Sequence, residues 1–298
     1  MARFRVLIAL LLCASAASAQ PLQSVIERPL TLPRGTVDLA LQGTYSNWAN
    51  GPAGTVPATL AGESLALGID FGATDQAQLG LAVSFPINPG AGFGSILASA
   101  AVAAGRSVAL RVDAGFENFG FNGDNTQGFE HVNRYFGGFG ARVRAPITPT
   151  VAFVMGRTDA VQFGQFTNVG DSGTGLYVGN TFFTAGASDF LVISGGNHDS
   201  GSIVGVNLPL GLLVQPDPHF ALTLLSGYSV RISVPSAGSA TALHLVPVGL
   251  EAVVTPARAF DIGARFYVDG PFALSGATPP PGYFDFRALM FWIGLRTG

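Results

Sequence analysis

The sequence predicts an all-β fold: one closed antiparallel barrel of about twelve strands, with about fourteen as the alternative. Three observations carry that expectation. The composition suits short strands, a period-2 apolar pattern recurs along the chain, and the connections alternate between long and short.

Of the 298 residues, 40 are Gly and 19 are Pro, a density that breaks helices. Charged residues make up 11% and hydrophobic ones 48%, with a mean hydropathy of +0.41. A disordered chain needs the opposite balance. After the first 19 positions no apolar run reaches the roughly 18 residues a membrane-spanning helix requires. The 23 Phe, 6 Tyr and 2 Trp favour strands instead.

Val37–Tyr45 opens the pattern, with apolar residues on odd positions and Asp38, Gln42 and Thr44 on even ones. Ser64–Gly72 sets Leu65, Leu67, Ile69 and Phe71 against Ser64 and Asp70, and Gln78–Ile87 sets Leu79, Leu81, Val83 and Phe85 against Gln78 and Ser84. Ser95–Ala104 is Ala-rich and weaker. Val108–Glu117 is the clearest, with Arg111, Asp113 and Glu117 on the polar face. Arg134–Ile147 carries Arg134, Arg142 and Arg144 opposite Tyr135, Phe139 and Val143. Val151–Val161, Ile203–Val214, Phe220–Ile232, Thr241–Val254, Phe260–Val268 and Tyr283–Leu295 complete the set. Lengths of about nine to thirteen residues match tilted membrane-crossing strands.

Connections at 46–61, 118–133, 162–201 and 270–282 are long, with shorter ones at 88–94 and 233–240. Those at 73–76, 105–107, 148–150, 215–219 and 255–259 are short. A transmembrane barrel shows this alternation, with short turns at the periplasm and long loops outside. The stretch 162–201 is long enough to fold inward, stand as an outer hairpin or supply two more strands.

The N-terminus has the parts of a secretory signal: Arg3 and Arg5, an apolar core at Val6–Leu12, and Ala17-Ser18-Ala19 before Gln20. The expected organisation is a cleaved signal over 1–19, a periplasmic lead-in over 20–35 and the barrel over 36–298. Cleavage removes Cys13, the only cysteine. It also takes Arg3 and Arg5, so the 15 basic residues become 13 against 18 acidic ones, a net charge of −5. All the basic residues are Arg, and no basic stripe suits nucleic acid.

A soluble sandwich also alternates, so polarity must decide which face is which. Here the apolar face is nearly free of charge, as bilayer hydrocarbon demands, and the other is rich in Gly, Ala, Ser and Thr. Tyr45, Trp48, Phe85, Phe116, Tyr135, Tyr228, Phe284 and Trp292 stand near strand ends, as in interfacial aromatic girdles. In signal, alternation, strand length and loop asymmetry the chain resembles a bacterial outer-membrane β-barrel of porin-like or small-channel type. That resemblance implies the outer membrane of a Gram-negative bacterium, and contact with its lipid and assembly machinery. It also implies passive passage of small polar or charged solutes. The alternative is a sealed barrel acting through its outer loops.

Charges on the polar face are the lumen candidates: Asp38, Asp70, Arg111, Asp113, Glu117, Arg134, Arg142, Arg144, Glu251, Asp261, Arg265, Asp285 and Arg287. Read as a pore, they form an Arg-rich wall facing an acidic one, which favours anions. Read structurally, they neutralise one another inside a closed barrel. The segment Arg28–Gly35 precedes the first strand, and no plug domain is expected. No cofactor or metal is expected either: His131, His198, His219 and His244 match no metal spacing. The Gly-rich runs at 170–173 and 195–201 lack the Lys and following helix of a phosphate loop. A lipid-hydrolysing barrel would need a Ser–His pair, for which only His244 with Ser226 or Ser229 is available, so the chain is not expected to be an enzyme.

Overall fold

The computed structural model describes residues 24–48, 60–88, 93–118, 120–122, 133–155, 166–171, 176–181, 189–196, 202–234, 241–273 and 286–297. The strands are β1 (Val37–Trp48), β2 (Leu60–Gly72), β3 (Ala77–Asn88), β4 (Ser95–Ala103), β5 (Val108–Asn118), β6 (Gly120–Asn122), β7 (Asn133–Thr148), β8 (Val151–Met155), β9 (Phe166–Asp171), β10 (Leu176–Thr181), β11 (Asp189–Gly196), β12 (Ser202–Asp217), β13 (Phe220–Val234), β14 (Thr241–Ala257), β15 (Phe260–Ala273) and β16 (Phe286–Thr297). Among the described residues no helix is long and apolar enough to cross a membrane; strands do the crossing.

Neighbouring strands pair antiparallel around a ring. The seam is β1 against β16, running in register from Val37↔Thr297 to Trp48↔Phe286. Closure removes the unpaired edges that hydrocarbon cannot satisfy. Short turns join β2–β3, β4–β5, β7–β8, β12–β13 and β14–β15, all at the end where β1 begins and β16 finishes.

The barrel has twelve staves, because one of them is built from two pieces. Near the short-turn end β8 lies between β7 and β12, with Val154 opposite Arg144 on one side and Gly211 on the other. Farther along, β11 takes the same place, with Leu191 opposite Phe139 and Val206. Val151–Met155 of the expected strand Val151–Val161 forms β8; positions 156–161 lie outside the described residues, and the fourteen-strand alternative is not realised. Between β8 and β11, β9 and β10 pair antiparallel, and β10 also pairs with β6 from the connection after β5.

Alternation sets what each face meets. Leu39, Leu41, Leu67, Ile69, Leu79, Leu81, Val112, Phe139, Leu224, Phe266 and Phe291 are exposed on the outside. Intervening positions point inward and are small or polar, among them Ala40, Ala66, Ala82, Ala101 and Ala109. Tyr45, Phe85, Tyr135 and Tyr228 are exposed on the outer face toward the long-connection end. There the ring centroids of Phe116 and Tyr135 are 5.2 Å apart, as in an interfacial girdle. Trp292 departs from the expected girdle. It shares the inward parity of Met290 and Arg296, is 6% exposed, and lays its indole over Gly263, its cross-strand neighbour. A side chain at Gly263 would occupy the space of that ring.

Candidate functional site

Nine of the expected lumen charges are buried and inward-facing: Asp38, Asp70, Arg111, Asp113, Arg142, Arg144, Glu251, Asp261 and Arg265. Glu117 and Arg134 stand directly opposite each other in register on β5 and β7, and Arg287 lies on β16 opposite Asn47 of β1 and Val268 of β15. Asp285 lies outside the described residues, as do residues 1–23, including the expected signal, His131 and His198.

The lead-in, expected to be a plain periplasmic tail, is folded into the short-turn end of the lumen. Ser24 starts a single turn, accepting hydrogen bonds at its carbonyl from Glu27 N (2.9 Å) and Arg28 N (3.0 Å). Val25 and Ile26 then pack in one apolar cluster with Ala152, Val154, Leu213 and Ala221 of the wall. Leu30, Thr31 and Leu32 are buried as well. A turn over Pro33–Thr36, closed by Thr36 N donating to Pro33 O (3.0 Å), brings the chain back into β1. Gly35 sits at its third position with φ +77°, which an L side chain resists. Gly72 allows the close approach, since a Cβ there would overlap the carbonyl oxygens of Pro33 and Leu32.

Lumen side chains hold this segment largely by its main chain. Arg142 Nη1 donates to Leu30 O at 2.9 Å, and Arg144 donates to the carbonyls of Val25 and Arg28. Gln215 Oε1 accepts from Ile26 N (3.2 Å) and from Ser24 Oγ (2.7 Å). Gln78 Oε1 accepts from Leu32 N at 3.1 Å. Arg142 is 0% exposed, so the expected Arg wall does not face an open bore here. Sequence reading set the lead-in aside because its residues do not alternate and the side chains beyond it that it bonds lie 41 to 233 positions away.

One side chain of the segment joins the charge network. Arg28 Nη1 and Nη2 donate to Asp261 at 2.8 and 3.0 Å, and Nη2 also reaches Thr255 Oγ1 at 2.9 Å. Asp261 takes a second cation, Arg296, which reaches across the seam to Asp38 at 3.2 Å. Neither Arg28 nor Arg296 was among the expected lumen residues. Arg296 was legible, since it has the inward parity of its strand and stands opposite Asp38.

Two further ion pairs are local. Arg111 grips Asp113 on its own strand through two hydrogen bonds of 2.6 and 2.5 Å. Arg265 and Glu251 are cross-strand partners, with Nε donating to Oε2 at 2.8 Å. Two opposed walls of unlike sign do not form. Buried ions require such pairing, because desolvation of each costs several kcal/mol.

A closed ring of strands that turns its apolar side chains outward and buries its charges within has one stable setting, the hydrocarbon of a bilayer. The chain is an outer-membrane β-barrel. No family model and no curated protein matches its sequence. Solved barrels are similar to it at low identity. The NanC porin covers 86% of this chain and 98% of its own at 5% identity, with a TM-score of 0.48. The translocator domain of the autotransporter NalP from Neisseria meningitidis covers 89% and 90% at 14% identity and 0.46. LpxR from Salmonella typhimurium covers 86% and 99% at 10% identity and 0.45. The functional reading of this barrel rests on its own lumen.

A polar pair stands on the outer face. His244 Nδ1 and the Tyr228 hydroxyl are 2.6 Å apart, with ring centroids 6.0 Å apart, near the long-connection end. Ser226, one of the two serines considered for a hydrolase, stands opposite Val248 rather than His244. Ser229 stands opposite Leu245. His219, in a short turn, places Nδ1 3.0 Å from Thr255 O. Among the described residues no group of His, Cys, Asp and Glu is placed to hold a metal.

Proposed function

We propose that this outer-membrane barrel is a conduit for small polar or charged solutes, closed in the present form by residues 24–36 at its periplasmic end. One observation carries the reading: the lumen is stopped by a terminal segment instead of by wall side chains alone. Eight staves enclose a space that side chains can fill, and diameter grows with stave number. Twelve staves leave a bore that needs a further occupant to shut it. Residue 36 links the segment to β1, and the described contacts that seat it on the other staves are hydrogen bonds, an ion pair and apolar packing, so the bore opens when those contacts release.

Planar-bilayer conductance of the intact chain and of a chain beginning at Thr36 tests this. The expected result is a silent or briefly opening intact barrel and a steadily conducting shortened one. A shortened barrel that is folded and silent would sink the conduit. The pairs Arg111–Asp113 and Arg265–Glu251 favour a second reading, a permanently sealed barrel acting through its outer loops, because they stay neutralised without the segment. Silence of both forms supports it.

A further inference from the structure

We infer that the short-turn end of the lumen is a binding site for a short peptide that turns over its first residues, occupied in cis by residues 24–35 and able to take the same peptide in trans. The inference builds on the closed-end reading for its place in the barrel, but it concerns recognition and not conductance.

The argument starts from what the wall contacts. Arg142, Arg144, Gln78 and Gln215 bond the main-chain groups of residues 25, 26, 28, 30 and 32. The wall meets those groups in the turned shape that the Ser24 carbonyl sets by accepting from Glu27 N and Arg28 N, so this part of the site reads backbone shape and not side chains. Pro29 is exposed, outside the recognised set. Two features add sequence preference. One is the apolar cluster around Val25 and Ile26. The other is the fork of Arg28 on Asp261, a two-bonded guanidinium–carboxylate contact with Thr255 completing it. Asp261 is itself held by Arg296 and by Thr255 Oγ1 at 2.6 Å, so the acceptor stays positioned when the guest arginine leaves. Donors and acceptors come from β3, β7, β12, β14 and β15, and the site therefore belongs to the finished barrel. The ligand class is a peptide able to form that turn, with two apolar residues followed, two positions after the second, by arginine.

The test uses a barrel beginning at Thr36, refolded in detergent and verified by its heat-modifiable gel band, with a fluorescently labelled synthetic peptide of residues 24–35. Saturable binding is expected by fluorescence anisotropy. The Arg28→Ala peptide should bind about tenfold more weakly or worse, the scale of a charge-assisted hydrogen bond. A Pro29→Ala peptide should bind as well as the parent. No saturable binding to the folded barrel overturns the site, and so does equal binding of the Arg28→Ala peptide. Should the shortened chain not fold, the full chain serves. With Cys13 replaced, Val25→Cys places a single thiol in the cluster, and its labelling rate reports release of the segment. Adding Arg28→Ala should raise that rate about tenfold; an unchanged rate rejects the latch. Peptide binding without conductance would reject the conduit and leave the site standing.

Discussion

Arg28 and Gly72 show how single residues seat the lead-in against the wall. Arg28→Ala removes the guest's charge yet leaves Asp261 with Arg296, so the global cost should be modest, about 1–3 kcal/mol by urea denaturation. Glu251→Gln is the contrast. It strands Arg265, which is 2% exposed, and should cost about 3–5 kcal/mol in the same measurement. Gly72→Val drives a side chain into the Pro33 and Leu32 carbonyls and should lift the segment, read as more frequent channel openings at little change in strand content. Arg142→Ala with Arg144→Ala was expected from sequence to lower anion preference. In this barrel those guanidiniums hold the segment's carbonyls, so the double variant should first raise the open time. A reversal-potential shift is to be measured only in the opened state, and it should shrink in high salt. Charge was legible residue by residue, because parity alone sent Asp38, Arg111 and Arg265 inward. The partners were not legible, because each ion found its mate by depth in the lumen, which parity does not encode.

At the scale of elements, the outer face follows hydrocarbon. Leu67, 53% exposed in the middle of β2, should tolerate Phe but not Arg. Leu67→Arg should destabilise the barrel in lipid vesicles by about 2–4 kcal/mol, measured by urea unfolding, and Glu63 nearer the rim should accept Lys almost freely. The regular strands were readable because each buries one face over its whole length. The seventh stave was not. β8 and β11 share a place in the wall although 33 residues separate Met155 from Asp189, and no periodicity links them. Trp292 was misplaced for a related reason: an aromatic near a strand end suits a girdle, but Gly263 across the strand leaves room for the ring inside. The lead-in carried a signal in hindsight, the Pro33-Arg34-Gly35 turn and a run of apolar residues with no lipid to face. Without knowledge of the wall, that run had no assignable partner.

For the whole molecule, closure by strands predicts β-dominated circular dichroism in detergent and a band that shifts on heating in SDS gels. A helical spectrum would contradict the fold outright. Salt should distinguish the two kinds of charge in the barrel. The Arg111–Asp113 pair is enclosed and should be indifferent to ionic strength, whereas Arg296, with its side chain 21% exposed, should respond to it.

The seam also dictates an order of events in time. Asp38 and Arg296 are 258 residues apart in sequence, so β1 waits for the last strand to leave the ribosome before it has a second neighbour. Contacts of such separation form slowly, since loop-closure entropy precedes any reward. The seat for residues 24–35 draws on staves from β3 to β15 and exists only once the ring is complete. Residues 24–35, synthesised before every strand of the ring, are therefore seated after all of them, and their docking marks a finished barrel.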